Sequence, residues 1–130
     1  MPKEVDDQAK TDPAFEIPEP PEARREKRVR HRLTVGVTAH SQGQVSGWTS
    51  NLAVHGLTIA AARVFAPATE VKVVIMLPDQ ERASVSGKVA WSRKGIGGGL
   101  SAMGVTFTEE NEAYVTFLRR FHPDVFQDER

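Results

Sequence analysis

The densest run of side chains able to do chemistry is Arg24-Arg25-Glu26-Lys27-Arg28-Val29-Arg30-His31-Arg32. Arg24 and Arg28 stand four apart, and so do Arg28 and Arg32. A guanidinium is a planar fork that pairs bidentately with a phosphate or with O6 and N7 of guanine. Its flat face also stacks on a purine. Two arginines at this spacing on a short segment can fold around one anionic ligand. A second group follows at Asn51-Leu52-Ala53-Val54-His55-Gly56. Asn51 offers both a donor and an acceptor to a guanine edge. Gly56 permits an unusual backbone angle or a close approach by a ligand.

Something rigid must hold these groups, and the pattern from Leu33 onward supplies it. Leu33, Val35, Val37 and Ala39 alternate with polar or small residues, as in a half-buried strand. After a turn at Ser41-Gln42-Gly43, residues 44–50 form a second extended run. Leu57, Ile59 and Ala61 mark a third strand, and Val71, Val73, Ile75 and Leu77 a fourth. Pro67 and Pro78-Asp79 fall in the turns around that fourth strand. Ala83, Val85, Val89 and Trp91 share one face of a long fifth strand, residues 94–99 form a loop, and Met103, Val105 and Phe107 give a sixth strand. On this alternation Trp91 and Phe107 belong to the core. The period then becomes helical, with Tyr114, Phe117, Leu118 and Phe121 at i, i+3, i+4 and i+7. Thr108 is the expected N-cap, with Glu109 and Glu110 in the first turn, Arg119 and Arg120 in the last, and Pro123 just beyond. Strands in series without intervening helices predict an all-β fold: an antiparallel barrel of about six strands, one end covered by the C-terminal helix.

Here the sequence resembles the PilZ domain family. That family pairs an RxxxR motif before the first strand with a [D/N]xSxxG motif between the second and third. It also carries V-x-W and G-x-x-F segments before a C-terminal helix. Val89-Ala90-Trp91 and Gly104-Val105-Thr106-Phe107 stand in those places. The resemblance covers roughly residues 24–121. Aligned on Leu33, the RxxxR arginines are Arg28 and Arg32; Arg24 and Arg28 form a rival register, with Arg25 beside them. The second motif matches at Asn51 and Gly56, and Ala53 occupies its serine position. The resemblance implies a receptor for cyclic di-GMP, with Arg24, Arg25, Arg28, Arg32, Asn51, Ala53 and Gly56 as the candidate binding residues. The ligand would order a mobile arginine segment against the barrel, and a downstream protein or a second copy of the chain would read the change. The implied processes are motility, biofilm, surface polysaccharide or development. A protein-interaction adaptor that binds no nucleotide is the alternative, and Ala53 motivates it.

Composition bounds the rest. The 130 residues make one domain, expected at 24–121, between a flexible Pro-rich acidic arm at 1–23 and a short tail at 122–130. The first twenty residues hold two lysines against six carboxylates, a net −4, whereas residues 22–32 hold six cations against two carboxylates, a net +4. The basic stretch is where an anion would go. The whole chain is neutral at 17 against 17, which disfavours a nucleic-acid polymer as partner. No cysteine is present, so disulfides, thiolate metal sites and a cysteine nucleophile are excluded. The four histidines lack metal-ligand spacing. No apolar run approaches the roughly 20 residues of a membrane span. Gly95-Ile96-Gly97-Gly98-Gly99 lacks the Gly-Lys-Ser/Thr of a phosphate loop. No catalytic constellation is legible. The expectation is therefore a cytoplasmic, non-enzymatic binding protein without a resident cofactor or metal.

Overall fold

The computed structural model describes residues 27–97 and 99–126. The acidic arm, Arg24, Arg25 and residues 127–130 lie outside the described residues. Six strands form the barrel: β1 (Thr34–Ala39), β2 (Gly43–Ala53), β3 (Gly56–Ala61), β4 (Glu70–Met76), β5 (Arg82–Gly97) and β6 (Leu100–Phe107). One helix, α1 (Glu112–Phe121), follows them. The sheet closes in the order β1-β2-β3-β6-β5-β4, and β4 returns to β1. All six pairings are antiparallel.

The alternating residues supply the interior. Val35, Val37, Leu52, Ile59, Val73, Ile75, Val85 and Met103 are buried in one cluster, together with Tyr114, Phe117 and Leu118 of the helix. A β-branched core of this kind suits a pleated, inward-facing surface. The helix joins the barrel through those three side chains. Phe121, the fourth residue of the helical apolar row, is 46% exposed.

Four local expectations change. First, β5 runs on to Gly97 and pairs with Leu100, so most of the expected loop at 94–99 is the end of a hairpin. Gly95 and Gly99 sit at φ 69° and 79°, a region glycine enters without steric cost, so the ladder bends there instead of ending early. Second, the N-cap is Asn111, whose Oδ1 accepts from the Tyr114 amide at 3.0 Å. Thr108 still belongs to the sheet, with its amide donating to Ser86 O at 2.9 Å, and Glu109 accepts from the Ser86 amide at 2.9 Å. The helix therefore starts after Glu109 and Glu110. Third, the register slips between Val89 and Trp91. A bulge turns the following residues over. Trp91 is buried, but it leaves the row of Val85 and Val89 and lies on Gly104, its cross-strand partner. Fourth, Phe107 only partly enters the core, stacking edge-on against Tyr114 at 5.2 Å.

Candidate functional site

Residues 27–33 continue the line of β1 along the second half of β2. β1 itself pairs with β2 only as far as Thr34 opposite Trp48. Beyond that point the Thr49 amide donates to Leu33 O at 2.9 Å. Val29 and Leu52 then exchange two backbone hydrogen bonds, at 2.9 and 2.8 Å. Between these anchors the segment arches away from the sheet, and the Thr49 side chain fills the gap. Its Oγ1 accepts from the Leu33 amide at 2.8 Å and donates to His31 O at 2.6 Å. Thr49 has no exposed surface. Replacing the hydroxyl by a methyl leaves a buried amide unpaired, at a cost of about 1–3 kcal/mol. Thr49→Val should therefore lower the unfolding free energy by about 2 kcal/mol, read as a lower urea midpoint with unchanged slope.

This docking aims the side chains of the segment. Half-buried Arg28 reaches across β2: its Nη1 donates to Asn51 Oδ1 at 2.7 Å and lies 3.4 Å from Thr58 Oγ1 on β3. Exposed Arg32 lies over the Trp48 ring, 4.5 Å from its centroid. The outward positions of the strands then form two neighbouring rows. One runs Trp48, Ala60, Ala102, Arg93, and the next runs Asn51, Thr58, Gly104, Trp91. Two indoles and three arginines thus belong to one face of β2-β3-β6-β5, over a floor of small residues. Arg93 lies 5.9 Å from the Trp91 ring centroid. Two buried polar atoms on the same stretch of β2, Trp48 Nε1 and Ser50 Oγ, find no hydrogen-bond partner among the described residues. Buried polar groups are normally paired, so this leaves donor and acceptor capacity beside Arg32.

The sequence-predicted residues divide into two groups. Arg28 and Asn51 meet directly, and Arg32 stands one row away on Trp48. Ala53 and Gly56 face each other across the end of the β2-β3 hairpin, and both are buried. Gly56 has ordinary backbone angles; what requires glycine there is the neighbouring strand. A Cβ at Gly56 would lie 2.4 Å from Val105 O on β6. The Ala53 carbonyl accepts from the Tyr114 hydroxyl at 2.7 Å, which ties the motif to the helix. Thr49, Thr58 and Trp48 were not singled out from sequence as site residues. A signal for Thr58 existed: with Leu57, Ile59 and Ala61 inward, Thr58 must face outward across from Asn51.

The PilZ domain model matches residues 22–121. The chain belongs to the PilZ domain family. The matched span includes every strand, the helix and the whole arginine segment from Arg24 to Arg32. Two solved structures share the fold. One is the Bacillus subtilis inhibitor of motility (MotI/DgrA), at 13% identity and a TM-score of 0.64 over 82% of this chain. This PilZ chain spans only about half of that protein, 53% of its length. The other is the PilZ domain of CeSA from a cellulose-synthesizing bacterium, at 18% identity and a TM-score of 0.52, covering 73% of this chain and 94% of that one. No curated protein has a matching sequence. Among the described residues no group of three or more His, Asp or Glu side chains could hold a metal ion, and no helix is long and apolar enough to cross a membrane.

Proposed function

We propose that this PilZ domain is a cyclic di-GMP receptor that binds the dinucleotide with Arg28 and Arg32 against the face containing Asn51, and relays the event to a downstream protein. PilZ domains are in general cyclic di-GMP receptors. The observation that carries the reading is the 2.7 Å contact between Arg28 and Asn51, because one dinucleotide can touch both motifs only where they share a surface. Arg32 over Trp48 adds a cation above an aromatic plane, and Trp48 Nε1 and Ser50 Oγ, without a partner among the described residues, add hydrogen-bonding capacity. The ligand suits this chemistry, with two phosphates for guanidinium forks and two purines for edge pairing and stacking. With residues 27–32 docked on β2, part of the ordering cost of binding is met before the ligand arrives.

The adaptor reading rests on Ala53. Alternation puts Ala53 on the same side of β2 as Asn51, yet it has no exposed surface, so a serine there would hold its hydroxyl under cover. One neutral hydrogen bond contributes about 0.5–1.5 kcal/mol, at most about tenfold in affinity. The receptor reading therefore predicts that calorimetric titration of cyclic di-GMP gives binding to the wild type. Ala53→Ser should change that affinity by no more than about tenfold. A silent wild type beside a strongly binding Ala53→Ser variant would instead establish the adaptor.

A further inference from the structure

His31 lies inside the arginine segment, between Arg28 and Arg32, but its ring points away from their face. It meets the end of the helix instead. His31 Nδ1 and His122 Nε2 are 2.7 Å apart, a hydrogen bond in which one ring donates its N–H and the other accepts. The rings stand edge to face, with centroids 4.9 Å apart. Phe117 stacks against both, at 5.2 Å from His31 and 6.2 Å from His122. His122 is fixed independently of its side chain, since its amide caps the helix on Leu118 O at 2.7 Å and its carbonyl accepts from Val125 at 3.1 Å. The segment that presents the arginines is thus tied at its middle to a residue 91 positions away.

We propose that the His31–His122 hydrogen bond positions Arg28 and Arg32 for their ligand, making His31 and His122 positioning residues of the nucleotide site. The proposal rests on the receptor reading for its effect on affinity, but the positioning itself belongs to the ligand-free protein. The peptide arch at 30–32 is also held to the sheet by the Thr49 hydroxyl, and Arg32 lies over Trp48 on β2. Without the histidine contact the arch gains freedom, and the arginines on either side of it lose their common orientation.

The device is sensitive to acid. Two neutral rings share one hydrogen bond, and so do one neutral and one charged ring, but two imidazoliums have no acceptor between them. Burial, and then the neighbouring His122, hold the His31 pKa below the ordinary imidazole value. The charged form is thus disfavoured while the segment is docked. Docking is at full strength above a pH of about 6.5 and weakens as the pH falls below it. The elements around the pair carry further charged groups, among them Asp79 and Glu81, which line a pocket with Phe117, and Glu112 in the first turn of the helix. Arg119 lies over Phe126, Arg120 over Phe121, Arg32 over Trp48, Arg30 is exposed, and Asp124 sits in the turn after the helix. β2 presents the Thr49 hydroxyl to the His31 carbonyl.

Glutamine at position 122 places an amide near the site of Nε2 and does not titrate, so it separates the hydrogen bond from the charge. At pH 7.5 His122→Gln should bind cyclic di-GMP like the wild type, whereas His122→Ala should bind about three- to tenfold more weakly. Between pH 7.5 and 5.5 the wild type should lose a similar factor, and both variants, in which only the burial of His31 still opposes its protonation, should lose clearly less. Amide exchange in the ligand-free protein, corrected for intrinsic rates, should show the Val29 amide losing protection in His122→Ala, and in the wild type at pH 5.5. A wild type that binds no nucleotide would refute the receptor reading and leave the exchange experiment to decide the positioning. Val29 protection unchanged in His122→Ala, or full acid sensitivity retained in His122→Gln, would overturn the proposal.

Discussion

Arg28→Ala should weaken cyclic di-GMP binding about ten- to a hundredfold. The guanidinium is the group that joins the two motifs, sitting 2.7 Å from Asn51 and reaching Thr58 on the next strand. A hydrogen bond to a charged group contributes about 1.5–3 kcal/mol, and tenfold in affinity is about 1.4 kcal/mol, so losing one such bond gives this range. The fold should survive, because the backbone bonds of Val29 to Leu52 do not need the Arg28 side chain. Arg28→Lys should recover only part of the loss. An ammonium keeps the charge but not the planar fork. Arg32→Ala should cost less, since Arg32 is exposed and its described contact is with the Trp48 ring. Calorimetry over the three variants and the wild type checks the ranking, with circular dichroism to confirm folding.

The second large effect is on stability. Gly56→Ala should lower the unfolding free energy by about 3 kcal/mol, at the upper end of overpacking penalties. Gly56 pairs with Ala53 on one side and Thr106 on the other. An added methyl would meet the Val105 carbonyl at 2.4 Å, and that oxygen belongs to the sheet backbone, where no rotamer change relieves the clash. β3 and β6 would have to part along their shared seam. Urea denaturation measures the loss, and a midpoint unchanged from the wild type would show that the seam yields without cost. The outcome also separates two reasons for glycine in the motif. A packing glycine changes stability first, whereas a glycine kept clear for a ligand changes affinity in a protein of normal stability.

Strands such as β1, β4 and the first half of β5 were legible because each has a buried face at alternate positions, with Val35 and Val37, Val73 and Ile75, and Ala83 and Val85. The pairing of the arginine run with Asn51 was legible through the order of the two motifs and their distance from Leu33. What alternation does not reveal is a slip in register. The bulge between Thr49 and Asn51 lets Thr49 turn inward to receive Leu33 while Asn51 still faces outward. The bulge between Val89 and Trp91 carries an indole from the core row to the outer face. Period-two reading treats both stretches as regular. The helix start was misplaced for a related reason: the sheet pairing runs on to Thr108, which bonds to Ser86, so the chain becomes helical only after Asn111. Contacts such as His31 with His122, or Tyr114 with Ala53, join residues 91 and 61 positions apart, and only the closed barrel brings them together.

The account stands on Arg28 and Asn51 belonging to one binding site. A double-mutant cycle tests this directly, with cyclic di-GMP titrated calorimetrically into the wild type, Arg28→Ala, Asn51→Ala and the double variant. Groups that touch each other and the same ligand couple by about 0.5–3 kcal/mol. The account predicts measurable binding to the wild type, weaker binding to each single variant, and a double variant that loses clearly less than the two single losses combined. A wild type that yields no binding heat at micromolar protein, or single variants that bind as tightly as the wild type, would contradict it.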